Sequence, residues 1–531
     1  MRKVFILTLV LLLTACTIPS GGTSTATLPA TITNPAPGTP LPAVTFINPA
    51  PIPSMPPMAG PDPSYQVAAF YYPWYGNPGT DGEWIHWTQA GYPPPRDIAS
   101  DYFPALGAYS SNDPAVVAQH MDWLRQAGIG VVIVSWWGQG CREEKPIPLI
   151  LQMAQRYGIK VAFHIEPYNG RSAESLLADV KYLSARYGSD PAFFLSTATS
   201  RYSPGNQPKP MFFVWDIGEQ YQGNPVQADY WQKAVDAIHA LPQGGLIIAN
   251  TRQASWISGG HFDGLYNYAT LHLDQEGGFA WAASLPPDSL YIPSLIPGFS
   301  AKRINYSSDT YVPRLDGSTY AGQWTAALGT GVQPAMLTIT SFNEWHEGSM
   351  IEPPAVAADN GRGYSYADFG ALPPEGYLTL TRQWVDQFLA ATWPETYRAR
   401  IQVSSTSDWT TLNVVRGGTW LRPKLVSTSA APANAFMEAG GRFSLLQPLA
   451  DAGNGVQVQM TWDLLLSGLD PAGNFVLNIE RGNLGETYVK IFNYLGDTPV
   501  AIQTYHWAGI TSGRNSFQVS IPAAALITPA P

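Results

Sequence analysis

The segment 340–353 holds the densest group of residues able to do chemistry. Glu344 and Glu347 stand three residues apart, just after an apolar run at 334–340 that is typical of a buried β-strand. Two buried carboxyl groups so close together repel each other, and this repulsion separates their pKa values, as an acid/base pair requires. A structural alternative is that Asn343 caps a helix and the glutamates belong to its first turn.

Length and composition limit the possible functions. A chain of 531 residues predicts two domains and a tail. The formal net charge is −10 and only 13% of the residues are charged, which argues against nucleic acid as a partner. Aromatic residues make up 12%, including 18 Trp and 27 Tyr. Their flat faces suit sugar rings, although such residues also fill protein cores.

Residues 1–16 predict a lipoprotein signal peptide. A basic start precedes the apolar run 4–13, which is too short to span a bilayer, and the run leads into Leu13-Thr-Ala-Cys16, typical of a bacterial lipobox. We therefore expect lipidation of Cys16 and an exported protein anchored in a membrane, at the cell surface or the periplasmic face. An ordinary cleaved signal with an incidental cysteine is the alternative. Only two cysteines exist, so no disulfide framework is expected.

Residues 17–65 are rich in Pro, Thr, Ser, Ala and Gly and almost uncharged. Such a segment cannot bury enough apolar surface to fold, and it predicts an extended disordered tether.

Residues 66–398 alternate short apolar runs with helical patterns, which predicts a (β/α)8 TIM barrel. The helical patterns lie at 114–127, 147–157, 172–187, 227–240 and 378–391, with weaker signals at 251–263 and 271–289. Eight runs are apolar on both faces, as strands of a parallel sheet are. These runs are 67–72, 130–136, 160–166, 211–216, 245–250, 264–268, 290–296 and 334–342.

Polar and aromatic residues gather where these strands end, while the strand bodies are aliphatic. Because barrel enzymes build their active sites at the carboxyl ends of the strands, this pattern predicts a cleft of carbohydrate size. For each single aromatic or histidine, a place in the core is the alternative. The predicted substrate-binding residues are Tyr72, Trp74, His86, Trp137, His164, Glu166, Tyr266, Asn343 and His346. Glu166 has the alternative role of holding His164 or Arg171, and His346 that of orienting its neighbours.

Most of these residues stand in motifs that resemble glycoside hydrolase family 99, the endo-α-1,2-mannosidase and mannanase family. The motifs are Phe70-Tyr-Tyr-Pro-Trp-Tyr75, Ser135-Trp-Trp-Gly138, His164-Ile-Glu-Pro-Tyr168 and Asn343-Glu-Trp-His-Glu-Gly348. The resemblance covers about 66–395 and implies a barrel, retention of anomeric configuration and no essential metal. Region 138–148 departs from the family pattern, which leaves outer-subsite specificity open.

The resemblance also implies a substrate-assisted mechanism. By position, Glu344 would be the base toward the substrate's 2-hydroxyl, and Glu347 the acid and then the base toward water. Two carboxyls from one short segment fit this route better than the opposed pair of ordinary retaining glycosidases.

The residues predict no cofactor, because no Cys/His cluster has metal-ligand spacing and no phosphate-binding glycine loop is present. Residues 399–531 change to short alternating runs separated by turns, which predicts a β-sandwich accessory domain. Carbohydrate binding and a packing or spacer role both remain open for it. A monomer is expected.

The sequence thus predicts a retaining hydrolase of α-mannosidic linkages, with an α-mannan-like oligo- or polysaccharide as substrate. One alternative is a related barrel enzyme, or a glycosyltransferase-associated relative, that acts on another glycan. The other is a non-catalytic surface glycan-binding lipoprotein, although binding alone requires no pair such as Glu344 and Glu347.

Overall fold

A computed structural model describes two compact units of the chain. The first contains the described parts of 62–273, 288–325 and 334–390, and the second those of 274–287, 326–333 and 391–522. The described residues are 62–218, 226–268, 281–282, 285–286, 288–304, 311–329, 332–391, 396–407, 409–416, 419–421, 424–428, 435–437, 443–446, 458–467, 474–482, 485–495, 498–507 and 515–522.

The first unit is built on a parallel barrel. Its described strands are β1 (Ser64–Tyr71), β2 (Ile129–Trp136), β3 (Lys160–Ile165), β4 (Leu195–Ser196), β5 (Lys209–Val214), β6 (Leu246–Asn250), β7 (Gly264–Tyr266), β8 (Leu290–Ile292), β9 (Ser294–Leu295), β10 (Phe299–Ser300), β11 (Tyr311–Val312) and β12 (Leu337–Ile339). Nine of them form one parallel path in the order β8-β7-β6-β5-β3-β2-β1-β12-β9. β4 pairs with β5 in antiparallel fashion, and β10 pairs with β11.

The two ends of this path nearly close the barrel. β8 and β9 are consecutive in sequence and are separated only by Pro293, which has no N–H to donate to a ladder. On the side of β12, Ala335 N–H donates to Tyr291 O (2.9 Å) and Thr338 N–H donates to Pro293 O (3.0 Å). The strand predicted at 290–296 is therefore divided at its proline into one part that pairs with β7 and one that pairs with β12.

Helices lie between several of the barrel strands, and the last helix follows β12. The described helices are α1 (Pro78–Asp81), α2 (Pro114–Gln126), α3 (Ile147–Tyr157), α4 (Ala173–Tyr187), α5 (Asp229–His239), α6 (Ser255–Gly260), α7 (Ser318–Gly329) and α8 (Gly376–Ala390). Their ends follow local chemistry: the side chains of Asp113 and Ser172 accept backbone N–H groups at the starts of α2 and α4, and Gly158 ends α3 with a φ of 71°.

All eight predicted barrel strands are present, and the parallel barrel is confirmed. β1 begins at Ser64, earlier than predicted, because Ser64 pairs with Ile129 although residues 64–66 lack the apolar pattern used to find strands. α7 was not predicted, since no charged residue in its sequence marks an outer face. The short α6 replaces the weak helical signal at 251–263.

The second unit is antiparallel. Its described strands are β13 (Thr396–Ser405), β14 (Trp409–Arg416), β15 (Thr419–Leu421), β16 (Lys424–Thr428), β17 (Ala435–Met437), β18 (Phe443–Leu446), β19 (Val458–Ser467), β20 (Asn474–Arg481), β21 (Thr487–Leu495), β22 (Thr498–Trp507) and β23 (Asn515–Pro522). One sheet has the order β16-β19-β13-β21-β22 and the other β17-β18-β14-β20-β23, with β15 beside β14. The β character predicted for this region is confirmed, while the sandwich and the domain boundaries stay predictions.

The predicted signal peptide, Cys16 and the tether up to residue 61 lie outside the described residues. Across the part of the chain that the structure describes, no helix has the length and apolarity needed to cross a membrane.

Candidate active site

Glu344 and Glu347 lie in the loop that follows β12, at the carboxyl end of the barrel. The loop returns to its own start, where Glu352 N–H donates to Phe342 O (2.9 Å). Inside the loop, Glu344 N–H donates to the hydroxyl of Ser341 (2.8 Å). Both glutamates are therefore held in a short closed loop at the end of the barrel where parallel-barrel enzymes place their chemistry.

Both glutamates are largely shielded from bulk water, since Glu344 is 3% and Glu347 is 7% exposed. Burial raises the pKa of Glu347 to about 7. Burial also raises the pKa of Glu344 well above its usual range, and the charge of Glu347 adds to that rise. Because each negative charge disfavours the other, the pair holds a proton near neutral pH. One member can then donate a proton while the other accepts one.

Few groups inside the protein satisfy these carboxylates. Oε1 of Glu344 accepts the N–H of His346 (3.0 Å), while its buried Oε2 has no hydrogen-bond partner among the described residues. Oε2 of Glu347 accepts one long bond from the hydroxyl of Tyr268 (3.4 Å). The hydroxyl of Tyr72 in turn donates to that of Tyr268 (2.5 Å). Buried acceptors with so few donors are ready to bond groups of a substrate.

Asn343 joins the ends of β1 and β12. Its Oδ1 accepts the N–H of Tyr72 (2.7 Å), and its Nδ2 donates to Tyr72 O (3.0 Å) and, over 3.4 Å, to the hydroxyl of Tyr109. This reciprocal pair of bonds holds Tyr72 beside the glutamate loop. The predicted contact of Asn343 with substrate stays a prediction, and the helix-capping alternative is wrong because residues 343–353 form no helix.

A chain of hydrogen bonds and one close polar contact runs from β2 across β3 to β7. Nε2 of His164 lies 2.6 Å from the hydroxyl of Tyr266, and its Nδ1 lies 2.9 Å from Oε1 of Glu166. The same Oε1 accepts the hydroxyl of Ser135 (2.8 Å), which accepts the indole N–H of Trp137 (3.0 Å). Burial raises the pKa of Tyr266 well above its usual range, so this phenol stays protonated. Nδ1 of His164 lies close to Glu166 but outside hydrogen-bond geometry.

Aromatic rings cover the other side of the glutamate loop. Trp74 stacks on His86 with ring centroids 4.6 Å apart and planes 17° apart. The ring of His86 also stacks on that of His346, with centroids 6.1 Å apart. Burial lowers the pKa of His86 to about 4, helped by the charge of Arg142, and that of His346 to about 3. Both imidazoles are therefore neutral near pH 7, which suits hydrogen bonds to sugar hydroxyls.

Comparison with known proteins identifies the family. Residues 63–390 match the sequence model of glycosyl hydrolase family 99. The chain belongs to this family. It is 33% identical over 372 residues to the glycoprotein endo-alpha-1,2-mannosidase of Mus musculus (62% of this chain, 76% of the relative) and 34% identical over 367 residues to that of Xenopus laevis (62% and 78%). The structure of the family 99 endo-alpha-mannosidase from Bacteroides thetaiotaomicron is similar, with a TM-score of 0.54 and 32% identity over 62% of this chain and 98% of that one.

Family 99 membership makes this protein a glycoside hydrolase. The structure brings its predicted site residues into one connected group at the carboxyl end of the barrel. The ring of His164 stacks on that of Tyr268 at 6.0 Å and 17°, which links the chain of hydrogen bonds to the pair Tyr72 and Tyr268 and so to Glu347. Which of these residues contact substrate stays a prediction.

Two residues of this family 99 site were missed from the sequence. Tyr268 contacts Glu347, whereas the predicted Tyr266 bonds to His164. Trp215, at the end of β5, packs its half-buried ring against Tyr268 at 4.9 Å. Alternation along an extended strand puts residues 266 and 268 on one face, and the second lies nearer the strand end. This spacing favours Tyr268 over Tyr266 as the residue that reaches the site.

Among the described residues, no group of three or more His, Cys, Asp and Glu side chains could hold a metal ion. The expectation that the enzyme works without a cofactor stays a prediction.

Proposed function

We propose that this protein is a retaining endo-α-mannosidase that hydrolyses α-1,2-mannosidic linkages. One observation carries the proposal: a family 99 barrel holds two buried, sparsely bonded glutamates with raised pKa values in one loop at its carboxyl end. The names of the relatives support the linkage and the endo action, since they are endo-alpha-1,2-mannosidases.

In the first proposed step, the substrate supplies its own nucleophile. Glu344 accepts the proton of the 2-hydroxyl, and the 2-oxygen forms a bond to the anomeric carbon as the glycosidic bond breaks. Glu347 gives its proton to the departing oxygen. The product of this step is a 1,2-anhydro sugar, and the electron pair of the broken bond leaves with the protonated alcohol.

In the second proposed step, water opens the anhydro sugar. Glu347, now a carboxylate, takes a proton from the attacking water, while the 2-oxygen regains its proton from Glu344. Two successive inversions at the anomeric carbon give overall retention.

The position of the two glutamates supports this route. Ordinary retaining glycosidases hold their carboxyls about 5–5.5 Å apart on opposite faces of the bond, and substrate-assisted enzymes are a known exception. Glu344 and Glu347 come from one short loop, which is an awkward source for groups that must straddle a sugar ring. The axial 2-hydroxyl of mannose is well placed to attack anti to an α-linked leaving group.

The remaining predicted residues would bind the sugar rings. Trp74 and Trp137 offer aromatic faces, and His86, with its neutral ring, offers a hydrogen-bonding edge. His164, Glu166 and His346 would bond hydroxyls, and Tyr72 would do so through the hydroxyl shared with Tyr268.

A panel of linkage-defined α-manno-oligosaccharides, α-mannans and α-glucans tests the proposal, with product size and anomeric form read by NMR. We expect internal cleavage of α-1,2-mannosides and release of the α-anomer first. Release of the β-anomer, cleavage of α-glucans only, or rapid turnover of a 2-deoxy mannoside would contradict it.

We also propose that the enzyme is a monomeric lipoprotein tethered to a membrane by acylated Cys16. The lipobox-like Leu13-Thr-Ala-Cys16 and the uncharged Pro/Thr-rich segment behind it support the anchor. Each buried methylene of an acyl chain contributes about 0.8 kcal/mol, so more than one chain is needed for firm attachment. Mass spectrometry of the membrane fraction should find Cys16 acylated as the first residue, and a mature chain beginning elsewhere would contradict the anchor.

For the C-terminal unit we propose a β-sandwich with a packing or spacer role. Its two antiparallel sheets support the architecture. Retention of the full-length protein on an insoluble β-glucan or xylan column, polymers outside the proposed substrate class, would instead point to a separate carbohydrate-binding role.

A further inference from the structure

Glu352 is a third buried glutamate of the same loop, and it is bonded in a different way. Its side chain is fully buried. Oε2 accepts both the hydroxyl of Tyr109 (2.8 Å) and the indole N–H of Trp345 (2.9 Å), and Oε1 lies 3.2 Å from Nε2 of His120. Three donors from three parts of the chain therefore converge on one carboxylate.

Tyr71 extends this cluster through His120. Burial raises the pKa of the Tyr71 phenol, and the charge of Glu352 raises it further, so the phenol stays protonated. Its hydroxyl lies 2.9 Å from Nδ1 of His120, and Nε2 of the same ring faces Glu352. Every polar group of the cluster thus has a partner.

The cluster fixes Trp345, the residue between Glu344 and His346. The indole N–H is held by Glu352, while the backbone N–H of Trp345 donates to the hydroxyl of Tyr75 (3.2 Å). The same hydroxyl donates to Asn343 O (3.1 Å). Trp345 is completely buried and cannot turn without breaking these bonds.

From these contacts we propose that Glu352 is a positioning residue: through Trp345 it holds Glu344, and with it the catalytic pair, in the orientation that the reaction requires. The inference rests on the function proposed above for Glu344 and Glu347. Glu352 itself does not touch the substrate. Because a displacement of about 1 Å at a catalytic group costs on the order of 100-fold in rate, loss of this anchor should appear in kcat.

Asp263 offers a matched control. It is equally buried and accepts three donors, namely the hydroxyl of Ser200, the N–H of Ile247 (2.7 Å) and His239, whose Nε2 lies at 2.9 Å. Asp263 directly precedes β7, so it lies at the amino end of the barrel, away from the glutamate loop. Substitutions there test what loss of a buried carboxylate does to stability alone.

The test compares Glu352→Leu, Glu352→Gln and Trp345→Phe with Asp263→Leu and Asp263→Asn. With an α-1,2-linked manno-oligosaccharide, Glu352→Leu should lower kcat about 100-fold and change KM less than threefold, with a displaced pH profile of kcat. Glu352→Gln should restore kcat to within about tenfold of wild type, because its carbonyl can accept from Trp345 and Tyr109. The Asp263 variants should lose melting temperature and keep kcat and the pH profile.

Trp345→Phe keeps an aromatic side chain and removes the N–H donor together with part of the buried indole, and it provides the measurement if Glu352→Leu does not fold. We expect about tenfold lower kcat and, in its crystal structure, a Glu344 carboxylate displaced relative to wild type and to Asp263→Asn. A wild-type kcat, pH profile and Glu344 position in Trp345→Phe would overturn the positioning role.

Glu347→Gln, measured in parallel, separates the two proposals. Full activity of Glu347→Gln would overturn the proposed catalytic pair itself. Inactivity of Glu347→Gln together with wild-type behaviour of Trp345→Phe would overturn the role of Glu352 alone.

Discussion

The catalytic pair and Asp263, at opposite ends of the barrel, show two opposite uses of a buried carboxyl group. At the carboxyl end, Glu344 has one oxygen without a partner among the described residues, and Glu347 accepts a single long bond from Tyr268. At the amino end, Asp263 is surrounded by donors from a loop, a strand and a helix.

Burial does not distinguish these groups, since Asp263 is 1% and Glu344 is 3% exposed. What differs is the number of hydrogen bonds, which offset the cost of moving a carboxylate out of water. A carboxylate with three donors serves structure. One with few donors is held at a raised pKa, which has an energetic cost to the fold and makes it reactive.

The largest effect on activity should come from replacing Glu344 or Glu347. Glu344→Gln and Glu347→Gln should each lower kcat/KM on an α-1,2-mannoside by about 10²–10⁴-fold, the usual contribution of a general acid or base. On an aryl α-mannoside with a good leaving group, the loss in Glu347→Gln should be smaller, because that leaving group needs little protonation. Steady-state kinetics on both substrates checks this.

Asp263→Asn is the control for that comparison and should stay within about threefold of wild-type kcat/KM. An equal loss of kcat/KM in Asp263→Asn and in the Glu344 and Glu347 variants would contradict the division between reactive and structural carboxylates. So would a glycosyl ester trapped on Glu344.

A smaller effect should follow from changing the single donor of Glu347. Tyr268→Phe removes a hydrogen bond that lowers the pKa of Glu347, so that pKa should rise above about 7. Because Glu347 must be protonated to act as the acid, kcat/KM falls as pH rises through its pKa, and this alkaline limb should move to higher pH. A full pH–rate profile of Tyr268→Phe and wild type measures this displacement.

Tyr266→Phe, two residues away, serves as the control because its hydroxyl faces His164. An alkaline limb that moves equally in both variants, or in neither, would contradict the contact between Tyr268 and Glu347.

The smallest expected effect is the change in melting temperature when Glu347 is replaced. The folded-state pKa of Glu347 is about 7, above the ordinary 4.5, so the folded protein binds this proton more tightly than the unfolded chain. The contribution of Glu347 to stability therefore falls as pH rises from about 4.5 to about 7 and then levels off. Glu347→Gln lacks the titrating group and should melt above wild type at pH 8, by about 2–4 °C for each kcal/mol recovered.

Most of the gain should be lost at pH 4.5, where Glu347 is protonated in the folded protein and about half protonated in the unfolded chain. Asp263→Asn should melt below wild type at both pH values. A Glu347→Gln variant less stable than wild type at pH 8 would show that the site carboxylates are not held at an energetic cost.

Much of this protein follows from local sequence. Strands such as β2, buried along all eight residues, are visible as apolar runs because both of their faces are covered. Asp113 and Ser172 mark helix starts because their side chains accept the N–H groups of the first turn. The glutamate pair at 344 and 347 is visible because charges directly after an apolar strand are costly unless they serve a purpose.

The tertiary structure alone decided the rest. Glu352 meets His120 across 232 positions and Tyr109 across 243, so no local pattern predicts that this glutamate is satisfied while Glu344 is not. The choice of Tyr268 over Tyr266 depends on which ring reaches Glu347 once β7 and β12 are in place. Local spacing determines which residues lie on one face of an element. The pKa and the role of a buried group depend on partners that only the closed barrel brings within hydrogen-bond distance.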